Sequence, residues 1–61
     1  MKLYDIPKGS KLKVATNRGE EVVTFHHIDG AYSYITAEDG EVMHLGASQE
    51  MKKEGDYYVI V

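Results

Sequence analysis

The spacing of the glycines is the feature that most restricts what this chain can fold into. The glycines divide the 61 residues at intervals that are mostly about ten residues long; they are Gly9, Gly19, Gly30, Gly40, Gly46 and Gly55. Short strands joined by tight turns recur at about this interval, so the pattern predicts an all-β fold. No linker, internal repeat or low-complexity segment is present. We therefore expect one small domain that covers residues 1–61.

Five segments between the glycines are rich in β-branched or aromatic residues and are predicted to be strands. They are residues 11–16, 21–28, 31–37, 41–45 and 57–61. Residues 3–6 are a candidate for a short sixth strand. Residues 47–53 have the composition of a helix of about two turns, with Ser48 as its N-cap and Gly55 after its end.

Two Asp-Gly dipeptides predict the register of the three central strands. Asp29-Gly30 and Asp39-Gly40 each favour a two-residue type I′ turn. The first turn then pairs Ile28 with Ala31, and the remaining pairs follow by counting along the strands.

Because side chains alternate across a strand, this register predicts two distinct faces. The face with the larger side chains is the predicted core: Val23, Phe25, His27, Tyr32, Tyr34, Thr36, Met43 and Leu45. The opposite face is less polar than a solvated face should be. A strongly bent small barrel would bury some of its residues; otherwise they form an apolar patch, and such patches usually mark an interface. The predicted interface residues are Val22, Thr24, His26, Ile28, Ile35, Val42 and His44.

The histidines do not predict a metal site, and no cofactor is expected. His26 and His27 are adjacent and should point to opposite faces unless the strand is bulged there. His26 and His44 share a predicted face but lie roughly 10 Å apart by strand spacing, too far to bind one ion. Cysteine is absent, which excludes thiolate zinc sites.

Catalysis is not predicted either. The acidic residues fall at strand ends and turns, where side chains are usually solvated. Ser33 opposite His26 is the one pair that resembles a nucleophile and its base, and no third group orients the imidazole. We expect a non-enzymatic protein.

A net charge of −3 argues against a general duplex-binding protein, which would normally present a basic face. Lysines are nevertheless concentrated near the N-terminus. Lys11 and Lys13, together with Tyr32 and Tyr57, are therefore candidates for binding single-stranded nucleic acid or a small nucleotide by ion pairing and stacking. A sponge that holds a small nucleotide between protomers is one form of this alternative.

Residues 6–14, Ile-Pro-Lys-Gly-Ser-Lys-Leu-Lys-Val, resemble the entry to SH3-like small barrels, in which an apolar residue and a turn glycine precede an alternating strand. The resemblance implies a five-stranded antiparallel barrel with one short helical turn before the last strand, which closes the barrel against the first. In size, acidity and lack of cysteine the chain also resembles small uncharacterised bacteriophage proteins.

A chain this short buries little surface and usually needs a disulfide, a metal or association with other chains for stability. With no cysteine, association is the expected aid. No apolar run approaches the length that crosses a bilayer, and we expect a complete cytoplasmic protein. We expect an interaction module that self-associates, with a homodimer favoured, and that binds another macromolecule, most simply a protein.

Overall fold

The computed structural model describes all 61 residues. Its strands form one mixed six-stranded sheet. Its strands are β1 (Lys11–Thr16), β2 (Gly19–Asp29), β3 (Tyr32–Ala37), β4 (Val42–Met43), β5 (Met51–Glu54) and β6 (Tyr57–Ile60). The strand order is β4-β3-β2-β1-β6-β5, and only the β1–β6 pair is parallel. The all-β prediction is confirmed. The five-stranded antiparallel barrel is not confirmed, because there are six strands and the sheet is not closed.

Two segments, residues 3–6 and residues 47–53, differ from their predictions. Residues 3–6 do not form a strand: Leu3–Asp5 is a turn of 3-10 helix that buries Leu3 completely. Residues 47–53 do not form a helix, since Met51–Glu54 is a strand. Met51 is buried in the core and pairs with Ile60, and this packing outweighs the weak stability of a two-turn helix.

The turn between β2 and β3 lies one residue later than predicted. Asp29 pairs with Tyr32, so Gly30 and Ala31 are the two turn residues. Gly30 has a φ of 63° whereas Ala31 does not have a positive φ, the pattern of a type II′ turn with glycine first. The predicted pairing of Ile28 with Ala31 is therefore wrong.

A β-bulge interrupts the pairing of β2 with β3. Phe25 pairs with Ile35 and His27 pairs with Tyr34, which leaves His26 as one extra residue on β2. Beyond the bulge Ile28 pairs with Ser33. The alternation of β2 is therefore shifted by one residue within the strand, a change that counting from a turn does not detect.

The shift reverses the predicted orientation of β3. Ser33, Ile35 and Ala37 are buried, whereas Tyr34 and Thr36 are half-buried on the other side. We call the side towards the core the inner face and the opposite side the outer face. The apolar core comprises Leu3, Ile6, Leu12, Val14, Val23, Phe25, Ile35, Ala37 and Met51. The outer face is therefore the side of the central strands left open to a ligand.

The predicted β3–β4 register is also wrong by one residue. Thr36 pairs with Val42, because the loop is longer than two residues and Asp39 takes part in it. The Asp39 carboxylate accepts a hydrogen bond from the Glu41 backbone N–H at 3.0 Å. This bond is the main cause that lowers the pKa of Asp39 below its ordinary value. Asp39-Gly40 thus belongs to a loop stabilised by a side chain.

Glu50 fastens the N-terminal segment to the start of β5. One carboxylate oxygen lies 2.9 Å from the Lys2 ammonium and the other lies 2.9 Å from the Met1 ammonium. The hydrogen bond from Lys2, followed by that from Met1, lowers the pKa of Glu50 from 4.5 to about 2. Folding therefore favours the charged form of this carboxyl group.

We expect this ion pair to make stability depend on pH in acid. A depressed folded-state pKa stabilises the protein above the unfolded value of 4.5, and that contribution is lost as the pH falls towards about 2. Urea denaturation between these limits should show a steeper loss for the native chain than for Glu50→Gln. Glu20→Gln is the control, because Glu20 is exposed and makes no ion pair. Equal pH dependence in the native chain and in Glu50→Gln would contradict the role of Glu50.

Candidate ligand-binding face

Three ring side chains meet beside the bulge and form what we call the Tyr34 cluster. The centroid of the Tyr34 ring lies 5.1 Å from that of His26 and 5.4 Å from that of His27. In a regular strand two adjacent residues cannot reach the same neighbour, because they point to opposite faces. The bulge removes this restriction. The prediction that the two histidines are sent to opposite faces is therefore wrong.

A row of polar side chains crosses β1, β2 and β3 next to this cluster. Lys11 on β1 pairs with Thr24 on β2, which pairs with Thr36 on β3. The Lys11 ammonium donates a hydrogen bond to the Thr24 hydroxyl at 2.6 Å. The His26 Nε2 atom and the Thr36 hydroxyl share a hydrogen bond of 2.7 Å. One hydrogen bond thus joins His26 on β2 to Thr36 on β3, and the other joins Lys11 on β1 to Thr24 on β2.

A second ring lies on the other side of the lysines. The Lys13 ammonium lies 4.5 Å from the centroid of the Tyr57 ring, a cation–π contact. Because Leu12 pairs with Tyr58 in the parallel β1–β6 ladder, Tyr57 is placed beside Lys11 on the outer face. Lys11, Lys13 and Tyr57 therefore form one patch.

These residues together make up the candidate ligand-binding face, and none of them is acidic. They are Lys11, Lys13, Thr24, His26, His27, Tyr34, Thr36 and Tyr57. Register places carboxylates at the margins of this face. Glu54 pairs with Tyr57, Glu20 pairs with Ala15, and Asp29 lies at the hairpin turn. The protein is acidic overall, but its charge is locally positive at the centre of this face.

Neither lysine at the centre is neutralised by a carboxylate. Lys2, Arg18 and Lys52 make ion pairs, whereas Lys11 and Lys13 make none. The neighbours of the two ammonium groups are a hydroxyl group and an aromatic ring. Both charges are therefore available to an anionic ligand.

The one cavity in the protein has the opposite character. It is an open hollow of about 390 Å³ at the far end of β2, lined by Arg18, Glu20, Glu21, Val22, Glu38 and Asp39. Arg18 lies 3.1 Å from Glu21, 3.4 Å from Asp39 and 3.3 Å from Glu41. Their charges, with that of Glu21 foremost, raise the Arg18 pKa above its ordinary value. Because carboxylates surround the arginine, the hollow does not suit an anion.

The structure divides the predicted interface between the two faces. Ile35 is completely buried in the core, and Ile28 packs against the core, so both were placed on the wrong face. Val22, Thr24 and His26 are half-buried on the outer side, and Val42 is 45% exposed. The four apolar residues of the predicted interface are thus reduced to two.

Ser33 and His44 have structural partners. Ser33 is buried opposite Ile28 and not opposite His26. Its hydroxyl donates to the Leu45 carbonyl at 2.9 Å and accepts from the Leu45 N–H at 3.0 Å. His44 Nδ1 donates to the Ser33 carbonyl at 2.6 Å. The predicted pairing of a serine with a histidine base is therefore not formed.

Of the four residues predicted for nucleotide binding, three are brought together. Lys11, Lys13 and Tyr57 share the patch described above. Tyr32 is 62% exposed and lies nearer the hairpin turn, on the same side of β3 as Tyr34. Sequence reasoning missed Tyr34 and His27, which it had assigned to the core. The doubled histidine was the available signal, since the bulge occurs there.

The chain has no group of three or more histidine, aspartate or glutamate side chains arranged to hold a metal ion. It also lacks any helix of the length and apolar character that a bilayer crossing requires. No protein-family model, curated protein or solved structure matches the chain. Its function must therefore be inferred from the candidate ligand-binding face itself.

Proposed function

We propose that this protein is a non-enzymatic binding module that holds a nucleotide ligand, with its phosphate and its flat base, on the candidate ligand-binding face. The observation that carries the proposal is the placement of two unpaired lysines, Lys11 and Lys13, between aromatic side chains on an uncovered sheet face. Ammonium groups bind phosphate, and aromatic rings stack on bases. Open sheets that present both kinds of group are a common means of binding unpaired bases.

The net charge does not oppose this proposal. Exposed charges act over about 8 Å at physiological ionic strength, so the local arrangement matters more than the total charge. The acidic groups nearest in register, Glu20, Asp29 and Glu54, lie at the margins. Glu54 also forms an ion pair with Lys52 at 4.0 Å. A small anion at the centre of the face meets Lys11 and Lys13 first.

A protein partner, with or without a homodimer, is the second candidate. It is favoured by Val42, which is 45% exposed beside the threonine row. With Ile28 and Ile35 directed to the core, Val22 and Val42 are the remaining apolar residues of the predicted interface. Two valines provide only a small apolar area, whereas the centre of a stable interface is usually apolar. We therefore place nucleotide binding first.

We expect Lys11→Ala and Lys13→Ala each to weaken nucleotide binding roughly tenfold. A charge-assisted hydrogen bond contributes about 1.5–3 kcal/mol, and 1.4 kcal/mol corresponds to a factor of ten. Fluorescence anisotropy at low salt, with a labelled phosphorylated dinucleotide and a labelled oligothymidylate as probes, measures the affinity. Circular dichroism on the same samples shows whether each variant is folded.

Lys53→Ala is the matched control, because it makes the same change in net charge away from the patch. The Lys53 ammonium lies 5.4 Å from the ring of Tyr58, whose partner Leu12 faces the core. The affinity of Lys53→Ala for the probes should change less than about twofold, because one exposed charge outside the site contributes little. Equal losses in all three variants, or no binding of either probe by the native protein, would overturn the proposed site.

A further inference from the structure

The candidate ligand-binding face has two separate aromatic platforms, one on each side of its lysines. Tyr57 lies on β6, whereas the Tyr34 cluster lies where β3 meets β2. In the strand order, β6 and β3 are separated by β1 and β2. Three inter-strand spacings of about 4.8 Å separate Tyr57 from Tyr34 across the sheet, and the two residues from Thr36 to Tyr34 add about 7 Å along β3, so the two tyrosines lie about 16 Å apart. The face therefore has two positions at which a flat ring can stack.

The groups between the platforms suit a phosphate linkage. Lys11 and Lys13 both lie on β1, one strand from Tyr57 and two strands from Tyr34. The hydroxyl group of Thr24 lies on β2, between the lysines and Tyr34, and that of Thr36 lies on β3, the strand that carries Tyr34. The order across the face is thus ring, ammonium groups, hydroxyl groups, ring. A mononucleotide has one base and can occupy only one of the two platforms.

We infer that the ligand of this face is a dinucleotide: two bases joined through a phosphate linkage, one on each platform. This inference rests on the proposed function and specifies its ligand. The linkage lies over β1 and β2, where Lys11 and Lys13 bind its charge. The Lys13 ammonium now lies on the Tyr57 ring, and a base that stacks there takes its place while the ammonium moves to the phosphate.

The carboxylates at the margins limit the ligand to about this size. Glu54 lies next to Tyr57 in register, and Asp29 is paired with Tyr32 beyond the Tyr34 cluster. A longer strand that continued past the Tyr34 cluster would bring further phosphates towards Asp29. One that continued past Tyr57 would meet the Lys52–Glu54 ion pair, which offers no net positive charge. Like charges repel, so additional nucleotides gain little binding energy. The charge layout therefore favours a free dinucleotide over a polymer.

Binding of thymidine 5′-monophosphate, the phosphorylated dinucleotide pTpT and a longer oligothymidylate tests this inference. Isothermal titration calorimetry should show pTpT binding at least tenfold more tightly than the mononucleotide, since stacking of a second base has about this effect. The longer oligomer offers several dinucleotide positions. Once its affinity is divided by the number of these positions, it should bind no more tightly than pTpT. For two bound phosphates, log K should fall with log salt with a slope of about −1.4.

Truncation of the rings locates the two bases. Tyr34→Leu and Tyr57→Leu should each reduce the affinity for pTpT towards that of the mononucleotide. Tyr4→Leu is the control, because Tyr4 is 57% exposed on the 3-10 helix, outside this face. Circular dichroism again confirms folding. If either ring variant lost the fold, substitution by Phe at the same position, which keeps a ring for stacking, should retain the affinity for pTpT.

The possible results separate this inference from the proposed function. Equal affinity for the mononucleotide and pTpT would overturn the dinucleotide and leave nucleotide binding in place. If the long oligomer bound much more tightly than pTpT even after division by its number of dinucleotide positions, the protein would be a single-strand binder. This result would also overturn the inference that the ligand is a dinucleotide. Absence of binding by all three probes would overturn the proposed function itself.

Discussion

Replacement of Phe25 by alanine should lower the free energy of unfolding by about 3–5 kcal/mol, the usual effect of removing a buried aromatic ring. Phe25 is 1% exposed and is the largest fully buried side chain of the protein. Domains of this length have a total stability of about 3–9 kcal/mol, at about 0.05–0.15 kcal/mol per residue. The variant should therefore unfold at very low urea or lose its cooperative transition altogether.

Val42→Ala is the control for this experiment. Val42 also lies in the sheet but is 45% exposed, so its truncation should change stability by no more than about 0.5 kcal/mol. Urea denaturation followed by circular dichroism measures both variants. A loss of less than about 1 kcal/mol for Phe25→Ala would show that the ring does not occupy the core as described.

Ser33→Ala should have the second largest effect, about 1–3 kcal/mol. The Ser33 hydroxyl makes two hydrogen bonds to the backbone of Leu45, at a place where β4 has already ended. Alanine removes both bonds and leaves a backbone N–H and a carbonyl without partners, and unsatisfied buried groups cost about this much. The hydroxyl thus replaces a missing rung of the β3–β4 ladder.

Two measurements together identify this mechanism. Ser33→Ala should lower the urea midpoint and also accelerate hydrogen exchange at the Leu45 amide, whereas Ser48→Ala, at an exposed position, should change neither. A destabilised Ser33→Ala protein with unchanged exchange at Leu45 would mean that the effect comes from packing and not from the two hydrogen bonds.

The sequence predicted the fold class and most of the strands because these depend on local signals. Glycine spacing and β-branched composition located β1 to β3 and the C-terminal strand, with small differences at their ends. β5 was missed even though a signal was present. Gly55-Asp56 is a two-residue hairpin turn, and Gly55 has a φ of 64°. The helical composition of residues 47–53 predicted a helix instead, with Gly55 after its end.

The register could not be predicted from the turns alone. A dipeptide such as Asp29-Gly30 is compatible with two placements of the turn, and the two differ by one residue. The bulge at His26 then adds a second shift that leaves no mark in the hydrophobic pattern of β3. Moving the turn by one residue shifts the pairing by two residues and keeps the faces, whereas the bulge shifts it by one and exchanges them. Because of the bulge, the predicted sides of Ile35 and Tyr34 are both wrong.

The residues of the candidate ligand-binding face were predicted in part. Lys11, Lys13 and Tyr57 lie on strands whose facing does not depend on the bulge, and their grouping was found from composition and charge. Tyr34 and His27 depend on the bulge and were not found. The resemblance to SH3-like barrels and to bacteriophage proteins stays a prediction, as do self-association and cytoplasmic location.

The bulge also determines how this sequence must be compared with others. A chain with the same hairpin and no bulge would have one residue, and not two, between the counterparts of Phe25 and Ile28. Its alignment with this chain would need a one-residue gap at His26-His27. The change that builds or removes the Tyr34 cluster is therefore an insertion or a deletion, and position-by-position scoring without gaps would miss it.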